Sequence, residues 1–217
     1  MKINFLGDSI TYGSGSSARG KDYVSLVGKI LGADVNNYGV GGTRFAVLNN
    51  PKKDSPYEED FNTRARKMGD ADIVFVFGGT NDYGHGTTVL GDKKSRNVYE
   101  FCGAINLLID FLDERYGKDK VVFILPLPRY GGGNRYGAFG ENSYRPTFYD
   151  YVKAEREVLE ERGQTYLDFS EFFPEPETDK GDALTADGLH PNDRGHALLA
   201  EKICEYLKKR SQRRKSF

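Results

Sequence analysis

Residues 72–82, DIVFVFGGTND, decide how this chain is read. Ile73 to Phe77 are all large and apolar, with no polar residue between them. A strand without alternation is covered on both faces, which is the mark of a parallel sheet sandwiched between helices. Gly78 and Gly79 break the run, and Thr80, Asn81 and Asp82 follow. In parallel sheets of this kind ligands bind beyond the carboxyl ends of the strands, so polar residues directly after an apolar run are candidates for chemistry.

Similar runs flank this one: INFL (3–6), DVNNYGV (34–40), KVVFILPL (120–127) and TYLDF (165–169). Between them apolar residues recur with helical spacing. Tyr23, Leu26, Val27 and Ile30 share one predicted face. Phe101, Ile105, Leu108, Ile109 and Leu112 share another. Phe148, Tyr151, Val152, Val158 and Leu159 precede a Gly163 stop, and Leu199, Ile203 and Leu207 mark a last helix. Strand and helix alternate, which predicts an α/β domain with a doubly wound parallel sheet of about five strands.

The 217 residues, 38% of them hydrophobic, suit one domain spanning 1–217. Thirty-one basic residues nearly balance 32 acidic ones. No global field therefore points to nucleic acid, and the basic end KKRSQRRKSF (208–217) is expected to be a solvated helix end. Cys102 and Cys204 lie in helix-like apolar surroundings without metal-ligand spacing, so buried reduced thiols are expected. No stretch approaches the roughly 20 apolar residues of a membrane span. Lys2 is followed by a short apolar run and then Asp8, so no signal peptide is expected. A cytoplasmic location is the default expectation, although a mature secreted domain would look the same.

The residues after the strands form a chemical set. Gly7-Asp8-Ser9 follows the first, NYGVGGT (37–43) ends the second, GGTND (78–82) ends the third, and DGLHP (187–191) precedes the last helix. Alone, each is ordinary turn or capping chemistry. Together they supply what acyl transfer by a serine requires: a hydroxyl, a base, an acid to orient it, and donors for an oxyanion. Ser9 offers the hydroxyl, His190 the base and Asp187 the orienting carboxylate. Gly42 offers an unobstructed N–H and Asn81 an amide. Of three histidines, His196 falls within the last helix as a surface or packing residue. Gly41 fits the glycine position as well; spacing from Asn37 favours Gly42.

In this order GDSIT, NYGVGGT, GGTND and DGLHP resemble the four blocks of the SGNH hydrolases, the GDSL-type esterases and lipases, from Gly7 to Pro191. Ile10 replaces the usual leucine of the first block, an aliphatic exchange. The resemblance implies a three-layer α/β/α, flavodoxin-like fold and esterase activity without a cofactor or metal. It also implies Ser9 as nucleophile, His190 and Asp187 as base and partner, and the Ser9 N–H, the Gly42 N–H and Asn81 as oxyanion donors.

Other motifs fit less well. GSSARGK (15–21) matches a phosphate loop, but Asp22 stands where Ser or Thr should hold magnesium. GSGSSA (13–18) matches a dinucleotide fingerprint, yet Asp34 falls at the start of the next strand. Both begin after the strand has ended, and a mobile loop beside the serine is the plainer expectation. No serine sits in a Gly-x-Ser-x-Gly elbow. Asp70 and Asp72 lack a well-spaced third metal ligand.

The expected reaction is therefore hydrolysis of a small-molecule carboxylic ester through an acyl-serine, with a short acyl group such as an acetyl ester of a carbohydrate. The rivals are a binding domain of the same fold without catalysis and a nucleotide-binding protein. Asp8, His85, Arg129 and Tyr130 are the candidates for a substrate rim. Tyr136, Phe139, Tyr144 and Arg145 continue the same Gly- and Tyr-rich loop, which either lines the site or packs down on itself.

Overall fold

The computed structural model describes residues 1–48, 58–85, 88–133 and 146–215. The apolar runs become β1 (Lys2–Gly7), β2 (Asp34–Gly39), β3 (Ile73–Phe77), β4 (Val121–Ile124) and β5 (Thr165–Leu167). All pair in parallel, in the order β2-β1-β3-β4-β5. The chain steps from β1 outward to β2 and then returns to β3 on the other side of β1. That reversal opens a crevice at the carboxyl ends of the central strands.

Helices α2 (Tyr23–Leu31) and α7 (Asp193–Lys215) cover one face of the sheet. Helices α3 (Phe61–Ala65), α5 (Phe101–Tyr116) and α6 (Phe148–Glu161) cover the other. This is the three-layer, doubly wound α/β architecture expected from the sequence. Two short helices, α1 (Ser9–Tyr12) and α4 (Thr80–Gly84), begin at the ends of β1 and β3.

β3 explains its own composition. Ile73, Phe75 and Phe77 pack against α2 and α7, whereas Val74 and Val76 pack against α3 and α5. Alternate side chains point to opposite faces, so a strand between two cores must be apolar throughout. Burying each such side chain is worth about 1.5–3 kcal/mol relative to exposure, which makes this strand the spine of both cores.

One helix differs from its predicted face. Ile30 of α2 is 51% exposed, and Val24 is buried in its place. The cause is Gly28, where an added Cβ would come within 2.8 Å of Val35 Cγ2 on β2. The helix lies closest to the sheet through that glycine, which turns Ile30 outward. The expected thiols Cys102 and Cys204 are both buried and free. At the basic end α7 continues to Lys215, with Arg210 donating to the Asp119 carbonyl. Tyr136, Phe139, Tyr144 and Arg145 lie outside the described residues. Among the described residues no helix is long and apolar enough to cross a membrane.

Candidate active site

β1 hands over to α1 at Gly7, where a Cβ would stand 1.9 Å from Thr11 Oγ1. Only glycine lets the helix start so close to the strand. Asp8 caps the new helix, its Oδ1 accepting from the Ile10 N–H at 2.9 Å. Ser9 is then the first helical residue, nearly buried at the mouth of the crevice. Asp8 is corrected from its expected place on the rim: it is 2% exposed, and capping turns its carboxyl inward. Burial pushes that carboxyl up to about 6, against the opposing pull of the Ile10 N–H, His190 and Arg64.

The turn before α7 brings a carboxylate and an imidazole to Ser9. Asp187 Oδ1 accepts from the backbone N–H groups of Leu189 at 3.1 Å and His190 at 2.7 Å. This brings Asp187 Oδ2 to 2.7 Å from His190 Nδ1, while His190 Nε2 lies 2.9 Å from Ser9 Oγ. Gly188 makes the turn possible with φ of 73°. Partial burial raises the Asp187 carboxyl, but the His190 ring and backbone N–H bonds outweigh it and hold it below its ordinary value. An ionised Asp187 can only accept, so Nδ1 carries a proton, and in the neutral ring Nε2 is then left to accept from Ser9 Oγ–H. A hydroxyl, imidazole and carboxylate in this sequence is the arrangement that makes a serine nucleophilic.

Facing Ser9 across the crevice is the loop after β2. An added Cβ at Gly41 would lie 3.7 Å from Ser9 Cβ, and Gly42 has φ of 76°, where an L side chain would be strained. Asn81, on α4, is 7% exposed and its Nδ2 donates to Thr43 O at 3.0 Å. The glycine loop and the amide thus meet on the same side of the site. N–H donors aimed where negative charge develops are what an oxyanion hole consists of.

The other rim candidates stay near the opening. His85 is exposed, and its Cε1 lies 3.8 Å from a Cβ built on Gly42. Partial burial, then repulsion from Arg44 and Arg129, lowers its pKa. Arg129 Nη1 donates to Thr80 Oγ1 at 3.0 Å, and its guanidinium lies 5.4 Å from the Tyr83 ring centre. Tyr130 is exposed, and its N–H donates to Gly188 O at 2.8 Å, which ties this loop to the Asp187 turn.

Four residues that sequence reasoning did not select support this geometry. Asp82 is fully buried and accepts from the N–H groups of Phe45 at 3.0 Å and Ala46 at 3.1 Å. Arg64 of α3 reaches the ends of β1 and β2 and the Thr43 hydroxyl. Glu155 of α6 lies beneath Gly79, fully buried. His196 is fully buried, accepting from Tyr23 N–H at 3.3 Å and reaching Ser14 O at 3.1 Å. The last contact also alters the expectation of a mobile loop at residues 13–18. Asp193 accepts from Ser17 N–H at 2.8 Å and Ser17 Oγ at 2.7 Å, so that loop is tied to α7. A sequence signal existed only for Asp82, which directly follows Asn81; the others are polar residues in helices, with nothing to distinguish them from solvated ones.

A family model described as the GDSL-like Lipase/Acylhydrolase family matches residues 5–198. No curated protein matches the chain. One solved crystal structure is 28% identical, covers 96% of each chain and superposes with a TM-score of 0.75. The lipase/acylhydrolase from Enterococcus faecalis is 23% identical over 96% of each chain, with a TM-score of 0.64. An acetyl xylan esterase, AlAXEase, is 21% identical over 95% of this chain and 99% of its own, with a TM-score of 0.68. The last two likenesses are of fold.

Proposed function

Because the chain belongs to the GDSL-like lipase/acylhydrolase family, we propose that it hydrolyses carboxylic esters through an acyl-enzyme on Ser9. The observation that carries this reading is the relay from Ser9 Oγ to His190 Nε2 at 2.9 Å and from His190 Nδ1 to Asp187 Oδ2 at 2.7 Å. Ser9 Oγ attacks the ester carbonyl as His190 takes its proton. The carbonyl oxygen becomes an oxyanion, held by the N–H groups of Ser9 and Gly42 and by Asn81 Nδ2. Collapse of the tetrahedral species breaks the ester C–O bond, and His190 returns the proton to the departing alcohol. Water then attacks the acyl-serine with the same base, which releases the acid and restores Ser9.

The substrate reading is a short acyl group, such as acetyl on a carbohydrate. The polar rim of His85, Arg129 and Tyr130 supports it, since hydroxyl-rich alcohols are bound by such groups. The fold shared with an acetyl xylan esterase is compatible with it. One domain spanning 1–217 is part of the same reading.

The test is turnover of p-nitrophenyl esters of increasing chain length. Acetate should be cleaved fastest, and Ser9→Ala should lose at least about 10⁴-fold in kcat while melting like the wild type. Unchanged turnover in Ser9→Ala would remove Ser9 from the mechanism. A preference for long acyl chains would leave the mechanism standing and overturn the substrate reading.

A further inference from the structure

We propose that Arg64 is a positioning residue for the oxyanion side of the site, clasping the chain before Ser9 to the loop that carries Gly42. The inference rests on the reading of Ser9 as nucleophile. Arg64 Nη2 donates to Gly7 O at 2.9 Å and to Tyr38 O, and Nη1 donates to Thr43 Oγ1 at 2.7 Å. One guanidinium therefore joins the last residue of β1, the end of β2 and the residue after Gly42. The Thr43 hydroxyl passes the connection on, donating to Val40 O at 2.7 Å, and Val40 N–H returns to Gly7 O at 3.1 Å. The ring of contacts encloses Gly41 and Gly42, the segment opposite Ser9.

Charge and burial favour a fixed fork here over a mobile cation. Arg64 is 5% exposed and lies 5.2 Å from the Phe61 ring centre. Burial lowers its pKa to about 10, partly offset by Asp8, so it stays a cation at neutral pH. A planar fork serves three acceptors in fixed directions, which a lysine ammonium on a flexible stem cannot reproduce. Arg66, two residues on, shows the contrast: it is exposed and stacks on Phe111, with its guanidinium 4.4 Å from the ring centre.

Oxyanion donors act only when they already point where charge will form, and displacements of about 1 Å can cost roughly 100-fold in rate. The experiment compares Arg64→Lys, Thr43→Val and Thr43→Ser with the wild type on p-nitrophenyl acetate. Competent sites are counted by complete labelling with a fluorophosphonate, so that kcat refers to folded enzyme. Arg64→Lys keeps the charge but loses the fork. We expect kcat per labelled site to fall roughly 10- to 100-fold in Arg64→Lys and roughly 5- to 20-fold in Thr43→Val, with KM within about threefold of wild type. Thr43→Ser, which restores the hydroxyl, should recover to within about twofold.

A kcat per site unchanged in Thr43→Val overturns the clasp, as does a Thr43→Ser variant no better than Thr43→Val. If Arg64→Lys does not fold, the two Thr43 variants decide. Failure of the underlying reading looks different: the wild type would not be labelled, or Ser9→Ala would still turn over.

Discussion

Asp187 and Asp82 each accept two backbone N–H bonds, yet their carboxyls are pushed in opposite directions. Asp187 holds Leu189 and His190, is half-exposed and lies below its ordinary value. Asp82 holds Phe45 and Ala46, is fully buried and is raised to about 7, first by burial and against those N–H bonds and Arg44. What separates them is solvent on one side and an imidazole partner. The turn keeps an acid ionised beside His190, which is what the proposed role of that histidine as base requires. Asp82 uses its carboxyl to hold backbone.

The largest losses are expected at the Asp187 turn. His190→Gln should lose roughly 10⁴-fold or more in kcat, and Asp187→Asn roughly 10²- to 10⁴-fold, because an amide no longer fixes the tautomer. Melting points should move little in either case, since both side chains are partly exposed. Asp187 also sets a sign: its depressed pKa contributes stability above the ordinary carboxylate range, lost as pH falls through the folded value. Asp187→Asn should therefore flatten the acid side of a stability–pH curve. A variant with wild-type kcat would mean that the carboxylate has no part in orienting His190.

This contrast was half visible in the sequence. The candidates Ser9 and Asn81 were legible because polar residues directly follow apolar strands, and Asp187 and His190 because an acid and a histidine share one turn before the last helix. The sheet was legible because Ile73 to Phe77 leave no other reading. Arg64 and Glu155 were not, since burial of a polar residue depends on which side of a helix meets the sheet. α3 spans only Phe61–Ala65, too short to show a period. Ile30 shows the same limit from the other side, because one close contact at Gly28 rotated a helix whose apolar residues permitted two faces. Asp8 was misplaced because capping, which points a side chain back at its own helix, looks in sequence like a polar residue beside a nucleophile.

At Asp82 the expected effect is structural before it is catalytic. Asp82→Ala leaves the Phe45 and Ala46 N–H groups buried without an acceptor, which should destabilise the fold by roughly 2–4 kcal/mol in urea titrations. The loop it holds also carries Gly42, so kcat should fall roughly 10-fold, well short of the loss at His190. An unchanged unfolding midpoint would show that these two bonds are replaced elsewhere, and the distinction between Asp187 and Asp82 would lose its basis.

Glu155 is a further buried acid, and its replacement is expected to matter least. It accepts nothing: among the described residues neither carboxyl oxygen has a hydrogen-bond partner, and a Cβ on Gly79 would lie 3.0 Å from Oε2. Burial raises its pKa well above the ordinary value, and repulsion from Asp82 and Asp8 adds to the rise. Between the unfolded and folded values the unfolded chain has released this proton while the folded protein still holds it. Stability is therefore full below the unfolded value and falls as pH rises, by at most about 1.4 kcal/mol per pH unit for one group. Glu155→Gln keeps the shape and cannot ionise, so its stability should decline less than the wild type's between pH 5 and 8, with kcat unchanged. Asp8 and Asp82, raised in the same sense, should keep some slope in the variant. Parallel curves for the two proteins would mean that Glu155 has the same pKa folded and unfolded, so that burial without a partner does not hold the proton on its carboxyl.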